Sequence, residues 1–359
     1  MGRSSSFAFR GRALDTGQIA RQLGVAYTLT GSVRRSGERV RISVQLIDPA
    51  TGASLWAERY ERDIVDVFAL QDEIAQEVAG AIEPELLKKE AQRAASQTHQ
   101  NPTAWDLVRR GMWEFHKLTP DGHHAARNLF LKAIAAAPES ADGHLWLARV
   151  DNSLFVGGWT DDTDAISAEG LASALRAVQL DEKNPYSHYA VAITHSFAGR
   201  VERARKAAER AIALSPSFAL GHLVLGLCAL LLGNSREAIR ELEHGLRLNP
   251  FDPHGFYWRL SLALAHYVAG EPLLGLEEAR ACLEMRPHWS AALRVAAACQ
   301  LALGDRTAAH QSVAELEREG DPGQDLLVNV AAHRPDWVQQ VDDAVSSVRT
   351  ETRPVVGSA

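Results

Sequence analysis

Residues 199–216, GRVERARKAAERAIALSP, and residues 233–250, GNSREAIRELEHGLRLNP, are two copies of one pattern set 34 positions apart. A glycine opens each copy (Gly199, Gly233), a small residue follows five positions on (Ala204, Ala238), another twelve on (Ala211, Gly245), and a proline closes it (Pro216, Pro250). The markers continue downstream. Gly199, Gly233, Gly270 and Gly304 are separated by 34, 37 and 34 residues, and Pro216, Pro250 and Pro287 by 34 and 37. The three extra residues fall in Asn249-Pro250-Phe251-Asp252-Pro253-His254, a linker between copies. The small positions recur as Gly275 and Ala309 and as Cys282, with Leu316 taking the last place. Self-similarity at a fixed period in this range is the signature of a repeat architecture, in which each unit buries its apolar face on its neighbours.

This register resembles the tetratricopeptide repeat. The resemblance implies two antiparallel helices per unit, with small residues where the paired helices approach and a proline ending the second helix. Clear units fall at 185–218, 219–252, 256–289 and 290 to about 320. Upstream, Trp105 to Lys117 reads as a first helix, and Ala126, Phe130, Ala133 and Pro138 mark a second. Gly143 to Leu180 fits one more unit if Phe155 to Ala165 is an insertion. Within that insertion, Gly157-Gly158-Trp159-Thr160-Asp161-Asp162-Thr163-Asp164 sets an aromatic among three carboxylates, as a ligand loop or a helix cap.

In the repeat pattern, the second, fifth, ninth and twelfth positions of each unit line the concave face. They name Tyr186, Tyr189, Ile193 and Ser196; Leu220, Leu223, Leu227 and Leu230; Tyr257, Leu260, Leu264 and Tyr267; and Ala291, Arg294, Ala298 and Leu301. Tyrosine rims over a leucine floor suit an amphipathic helix or apolar peptide. The alternative is that these residues pack on one another or on capping helices. An acidic tail would call for Lys and Asn at these positions, where only Arg294 comes near.

The first segment follows a different period. Val40, Ile42, Val44 and Leu46 alternate with Arg41, Ser43 and Gln45, as in a half-buried strand. Residues 26–33 precede it across a Ser36-Gly37 turn and residues 54–60 follow Pro49-Ala50-Thr51-Gly52, which makes a three-stranded antiparallel meander. A short helix, Gly17 to Leu23, capped by Asp15 or Thr16 and stopped by Gly24, leads in, and a longer one from about Val65 to Ala95 leads out. Arg34, Arg35, Arg39 and Arg41 crowd one hairpin, but residues 1–95 hold 13 basic and 13 acidic side chains, so these arginines are expected to face Glu38, Glu58 and Glu61 across the sheet.

The stretches Ser5-Ser6-Phe7-Ala8-Phe9-Arg10-Gly11, Ile19 to Val25, Leu29 to Arg35, Leu46-Ile47-Asp48, Leu55 to Tyr60 and Phe68 to Ile74 are similar to the TolB amino-terminal-like domain of bacterial cyclase-linked and CadC-like regulatory proteins. In that family the module precedes tetratricopeptide repeats and often follows a class III nucleotide cyclase or a winged-helix domain. The family's module begins with a strand and helix upstream of the match, so the resemblance implies a truncated or abbreviated relative.

The expected fold is therefore an α+β amino-terminal domain (1–95), an all-α tetratricopeptide-repeat solenoid (100–324), capping helices (325–348) and a frayed tail (349–359). The 359 residues, 46% apolar and 23% charged, exclude a disordered chain. A net charge of −7 without a basic run argues against nucleic acid or an anionic membrane surface as a direct partner. No apolar run is long enough to span a membrane. Cys228, Cys282 and Cys299 read as buried thiols.

No phosphate-binding glycine loop, His-Glu-x-x-His or Cys-x-x-Cys occurs. His123 and His124 with His116 form the one close histidine group, and adjacent helical residues diverge by about 100 degrees, a poor geometry for a metal. His188 and His222, at the fourth position of their units, and His195 and His266, at the eleventh, read as packing histidines. No catalytic, cofactor-binding or metal residues are expected.

The expected function is a non-catalytic interaction scaffold in bacterial signalling or transcription. Its partner is a protein or peptide held through Tyr186, Tyr189, Ile193, Leu220, Leu223, Leu227, Tyr257, Leu260, Leu264, Tyr267 and Arg294. The first alternative is the regulatory portion of a class III cyclase whose catalytic domain is absent from this chain, and an envelope or export component comes last; a homo-oligomer is left open beside the protein or peptide partner. The expected compartment is the cytoplasm, or the periplasm if a membrane helix precedes this region.

Overall fold

The computed structural model describes residues 16–23, 25–37, 39–63, a discontinuous set between 74 and 91, 103–250, 252, 254–319 and 326–352. The chain divides into two compact units, Met1–Leu87 and Lys88–Ala359. The stretches Ser5–Gly11 and Phe68–Glu73, together with Asp15, Gly24, Glu38 and much of the Val65–Ala95 helix, lie outside the described residues.

In the first unit, α1 (Thr16–Leu23) precedes β1 (Thr28–Ser36), β2 (Arg39–Asp48) and β3 (Ala53–Asp63), which form an antiparallel sheet in the order β1-β2-β3. Gly31 pairs with Val44 and Ile42 with Tyr60. The period-two pattern decides which side is buried. Leu46, Trp56 and Tyr60 join Ile74, Val78 and Ala81 in one cluster, with Ile42 and Val44 at its margin. On the charged strand positions, Arg41 Nε donates to Glu61 Oε1 at 2.7 Å, and Arg39 and Arg59 lie 3.6 and 3.4 Å from the same carboxylate. Glu61 thus gathers two of the hairpin's four arginines, Arg39 and Arg41, together with Arg59 of β3, while Arg35 Nε donates to the Gly37 carbonyl.

The second unit is a run of helix pairs. They are α2 (Ala104–Phe115) with α3 (Pro120–Ala136), α4 (Ala141–Val156) with α5 (Thr163–Leu180), α6 (Pro185–Phe197) with α7 (Val201–Leu214), α8 (Ala219–Leu231) with α9 (Ser235–Leu248), α10 (Gly255–Val268) with α11 (Pro272–Met285), and α12 (Ser290–Ala302) with α13 (Arg306–Glu319). Two further helices follow, α14 (Leu326–His333) and α15 (Pro335–Thr352). First helices pack on their own second helix and on the first helices of adjacent units.

The marker residues explain this geometry. Gly199, Gly233, Gly270 and Gly304 have φ of +69, +83, +78 and +80°, the left-handed conformation that ends a helix at low cost only for glycine. Each turn closes with the same backbone bond. The N–H groups of Arg200, Asn234, Glu271 and Asp305 donate to the carbonyls of His195, Ala229, His266 and Gln300 at 2.8 to 2.9 Å. Ala204, Ala211, Ala238, Cys282 and Ala309 are fully buried, and a Cβ added at Gly245 would sit 2.6 Å from Leu223 Cγ. Paired helices therefore approach too closely at these points for a larger side chain.

Candidate functional site

The inner ends of the first helices surround a cavity of about 270 Å³. Phe115 of α2, Arg149 and Asn152 of α4, and Tyr189, Ile193 and Phe197 of α6 form one side. His254, Phe256 and Tyr257 close it from the start of α10, with Met285 and Arg286 from the end of α11.

Ring contacts run around the wall without a break. Trp159 meets His123 (4.9 Å between centroids), His123 meets Phe115 (4.9 Å), Phe115 meets His254 (5.1 Å), His254 meets Phe256 (6.2 Å) and Phe256 meets Trp289 (5.3 Å). Tilted and edge-on contacts of this kind hold aromatic groups in fixed orientations.

The linker between the repeats at 249–254 builds one wall. Asp252, itself buried, accepts from the His254 N–H at 2.8 Å and from Asn249 Nδ2 at 3.3 Å. Those bonds set His254 against Phe115. The three residues that lengthen one repeat spacing thus deliver a cavity residue.

Burial controls the charge of the histidines. His123 Nδ1 donates to the Thr119 carbonyl at 2.9 Å, and burial lowers its pKa to about 4. His116, whose Nδ1 donates to Met112 O at 2.7 Å, is likewise lowered to about 4 by burial. His254 is lowered well below the usual range, first by burial and then by the Arg149, His116, His123 and Arg286 charges. All three are neutral at pH 7. Burial also pushes the Cys228, Cys282 and Cys299 thiols up to about 12, so none is a nucleophile at neutral pH.

Of the concave positions read from the sequence, the cavity gathers Tyr189, Ile193 and Tyr257, with Tyr186 beside Arg149. Leu223, Leu227, Leu260 and Leu264 have no exposed surface, and Leu220 is buried at 8%. They share a core with Leu327 and Val330 of α14 and with Trp337, Val338 and Val341 of α15. Helix α14 packs on α8 and α10, and α15 packs on α12 and α13. Tyr267 is half-buried against that core, and Arg294 pairs with Asp342 of α15. The chain's own last helices therefore cover the leucine-rich part of the inner face.

The Gly157–Asp164 loop divides its roles. Asp162 caps α5, accepting from the Ala165 N–H at 2.9 Å, while Trp159 enters the cavity. His123 is buried and His124 exposed, as their helical spacing dictates, and no group of three metal-ligating side chains occurs among the described residues. His188 and His222 donate from Nε2 to the carbonyls of Glu182 and Pro216 at 2.8 and 3.2 Å, which accounts for their recurrence. His144 does the same to Pro138 at 3.0 Å.

Phe115, Arg149, Asn152, His254 and Arg286 are absent from the sequence-derived site. Three carried a signal. Arg149 and Asn152 stand at the ninth and twelfth positions of a unit begun at Ala141, and Phe115 at the twelfth of one begun at Ala104. Extending the register two units upstream marks them.

Residues 189–253 match the tetratricopeptide repeat family model. The chain is 34% identical over 205 residues to Putative adenylate cyclase 3 of Rhizobium meliloti (strain 1021), a match that covers 57% of this chain and 35% of that protein. The chain thus spans about a third of the length of this curated relative. Among solved structures, the Cut9-Hcn1 hetero-tetramer of the APC/C aligns over 77% of this chain and 48% of that one, with a TM-score of 0.54 and 14% identity. The human IFIT1 dimer with PPP-AAAA aligns over 74% and 67%, with a TM-score of 0.51 and 14% identity. These structures share the fold alone. No helix among the described residues is long and apolar enough to cross a membrane. The chain is a three-stranded antiparallel sheet followed by the stacked helices of a tetratricopeptide-repeat array.

Proposed function

We propose that this chain is the non-catalytic interaction portion of a bacterial signalling protein, and that its repeat array holds a segment of a partner protein on its inner side. One observation carries the reading: the α14 and α15 helices cover the leucine-rich inner face, while the aromatic cavity among Phe115, Tyr189, Phe256 and Tyr257 stays uncovered by them. Aromatic side chains fixed by neighbours lose little entropy on binding and contribute most of the contact energy in such sites. Tyr186, Tyr189, Ile193 and Tyr257 would touch the partner. Leu220, Leu223, Leu227, Leu260 and Leu264 would support them from beneath, with Tyr267 and Arg294 toward the covered end.

The partial match to a cyclase supports a second reading. The chain would be the regulatory portion of a class III nucleotide cyclase whose catalytic domain lies outside these residues, with the first unit as a TolB amino-terminal-like module. The two readings differ in the parent protein and agree on what this region does.

Capture of a partner by the intact chain, compared with capture by Trp159→Ala and Phe256→Ala, tests the proposal. Both residues are half-buried cavity residues, so their truncation leaves the repeat core in place. Loss of the partner from both variants is the expected result. Equal recovery, or turnover of ATP or GTP to a cyclic nucleotide by the chain itself, would refute it.

A further inference from the structure

Among the described residues, two guanidinium groups in the cavity have no carboxylate partner. Arg149 lies with Cζ 4.2 Å from the Trp146 ring centre and 5.6 Å from those of Phe115 and Tyr189. Arg286 lies 5.2 and 5.0 Å from Phe256 and Trp289. Elsewhere in the same unit, Arg127, Arg176, Arg205 and Arg259 each hold a carboxylate at 2.6 to 2.8 Å. Arg149 and Arg286 hold none among the described residues. Both are half-buried, and burial lowers the Arg286 pKa. Asp252, the carboxylate within electrostatic reach of Arg149, is committed to the linker through His254 N and Asn249 Nδ2.

The acceptors are equally specific. His123 is 1% exposed and its Nδ1–H is bonded to Thr119, which leaves Nε2 as an acceptor. The Nε2 atoms of His123 and His254 are both buried without a hydrogen-bond partner. Buried polar atoms left unpaired are costly, and here they line the same cavity as two unpaired cations.

We infer that this cavity binds an apolar carboxylic acid that also carries an N–H or O–H beside its carboxylate. Arg149 and Arg286 donate to the carboxylate oxygens, the histidine Nε2 atoms accept the ligand's N–H or O–H, and the apolar body lies on Phe115, Tyr189, Phe197 and Tyr257. Guanidinium groups stacked on aromatic rings are held ready for such an anion. The cavity volume lies near the small end of ligand pockets and suits one amino-acid-sized group. The last residue of a peptide that ends in an apolar side chain presents this chemistry, and so does a free N-acyl amino acid. The inference rests on the reading of the inner side as the binding surface, and it adds the charge that the ligand must carry.

Tryptophan fluorescence titration of the full chain tests it with four probes: N-acetylphenylalanine, N-acetylphenylalaninamide, and a tetrapeptide ending in phenylalanine as the free acid and as the amide. Each acid should bind at least about tenfold more tightly than its amide, the size expected of one charge-assisted hydrogen bond. Arg149→Met should remove that preference while the circular dichroism spectrum stays unchanged. A tighter peptide acid identifies a protein terminus as the source, and equal affinity of the two acids identifies a free metabolite. Equal binding of acids and amides by the wild-type chain would overturn the carboxylate inference and leave the interaction surface standing. Binding of none of the four would also overturn it, with partner capture remaining the separate test of the surface.

Discussion

Single residues carry two different constraints in the repeat turns and helix contacts. Gly304 has φ +80° with nothing within 4 Å of an added Cβ, so Gly304→Ala should cost only backbone strain, about 1–2 kcal/mol. At Gly111 the added Cβ would overlap the Phe130 ring, and the fully buried Phe130 has nowhere to move. Gly111→Ala should cost about 1–3 kcal/mol through overpacking. Urea denaturation of the two variants separates strain from collision, because Gly111→Ser should be worse than Gly111→Ala while Gly304→Asn should be milder than Gly304→Ala.

The buried histidines tie the stability of the fold to pH. His116 and His123 have folded pKa values near 4, below their usual 6.5. The unfolded chain takes up their protons first as pH falls. Stability is therefore lost between about pH 6.5 and pH 4, by up to roughly 3 kcal/mol per histidine. Asp151, pushed up to about 6 by burial against the attraction of Arg127, favours its protonated form in the fold and offsets part of that loss. His123→Asn keeps a donor near Thr119 O without the titration, so its melting temperature should fall less steeply over this range than that of the wild type. Identical slopes would contradict the assignment of the neutral His123.

At the scale of elements, the helix pairs were legible because glycine, alanine and proline sit at fixed offsets for stereochemical reasons. Gly199 and Gly233 end helices in the left-handed conformation, and Ala204 and Ala238 mark the close approach of paired helices. Strand β2 was equally readable, since Val40 and Leu46 alternate with Arg39 and Arg41 in burial as in polarity. What covers an apolar stripe was not legible. Leu223, Leu227, Leu260 and Leu264 had to be buried, but nothing local distinguishes a partner from α14 and α15. His254 was hidden for another reason: it sits in a linker outside the repeat register, and its place depends on Asp252 accepting two bonds. The covering role of the last helices is testable. Val341 is fully buried on α15 and Ser346 exposed on the same helix. Val341→Asp should lower stability strongly in urea denaturation, through an unpaired buried charge, whereas Ser346→Asp should leave it within about 0.5 kcal/mol of the wild type.

Considered as a molecule, the chain pairs a small sheet unit with an array in which each repeat stabilises its neighbours. Such an array presents side chains from many units to one surface. The cavity draws on helices from α2 to α11, so residues more than 150 positions apart in sequence share it, as Phe115 and Arg286 do. A compact enzyme site would bring nucleophiles, bases or metal ligands together in this way. Here the convergent groups are rings, neutral imidazoles and two guanidiniums, the groups that the proposed recognition role calls on.

On the proposed reading, partners bind on the inner, aromatic side of the array. Photo-crosslinking distinguishes the two faces, with p-benzoylphenylalanine in place of Trp159 or Phe256 in the cavity, and in place of the exposed Leu175 or Leu273 on the second helices α5 and α11. One and the same partner should be joined to the chain from Trp159 and Phe256 and from neither leucine position. Crosslinks formed from Leu175 or Leu273, with none from the cavity, would contradict it.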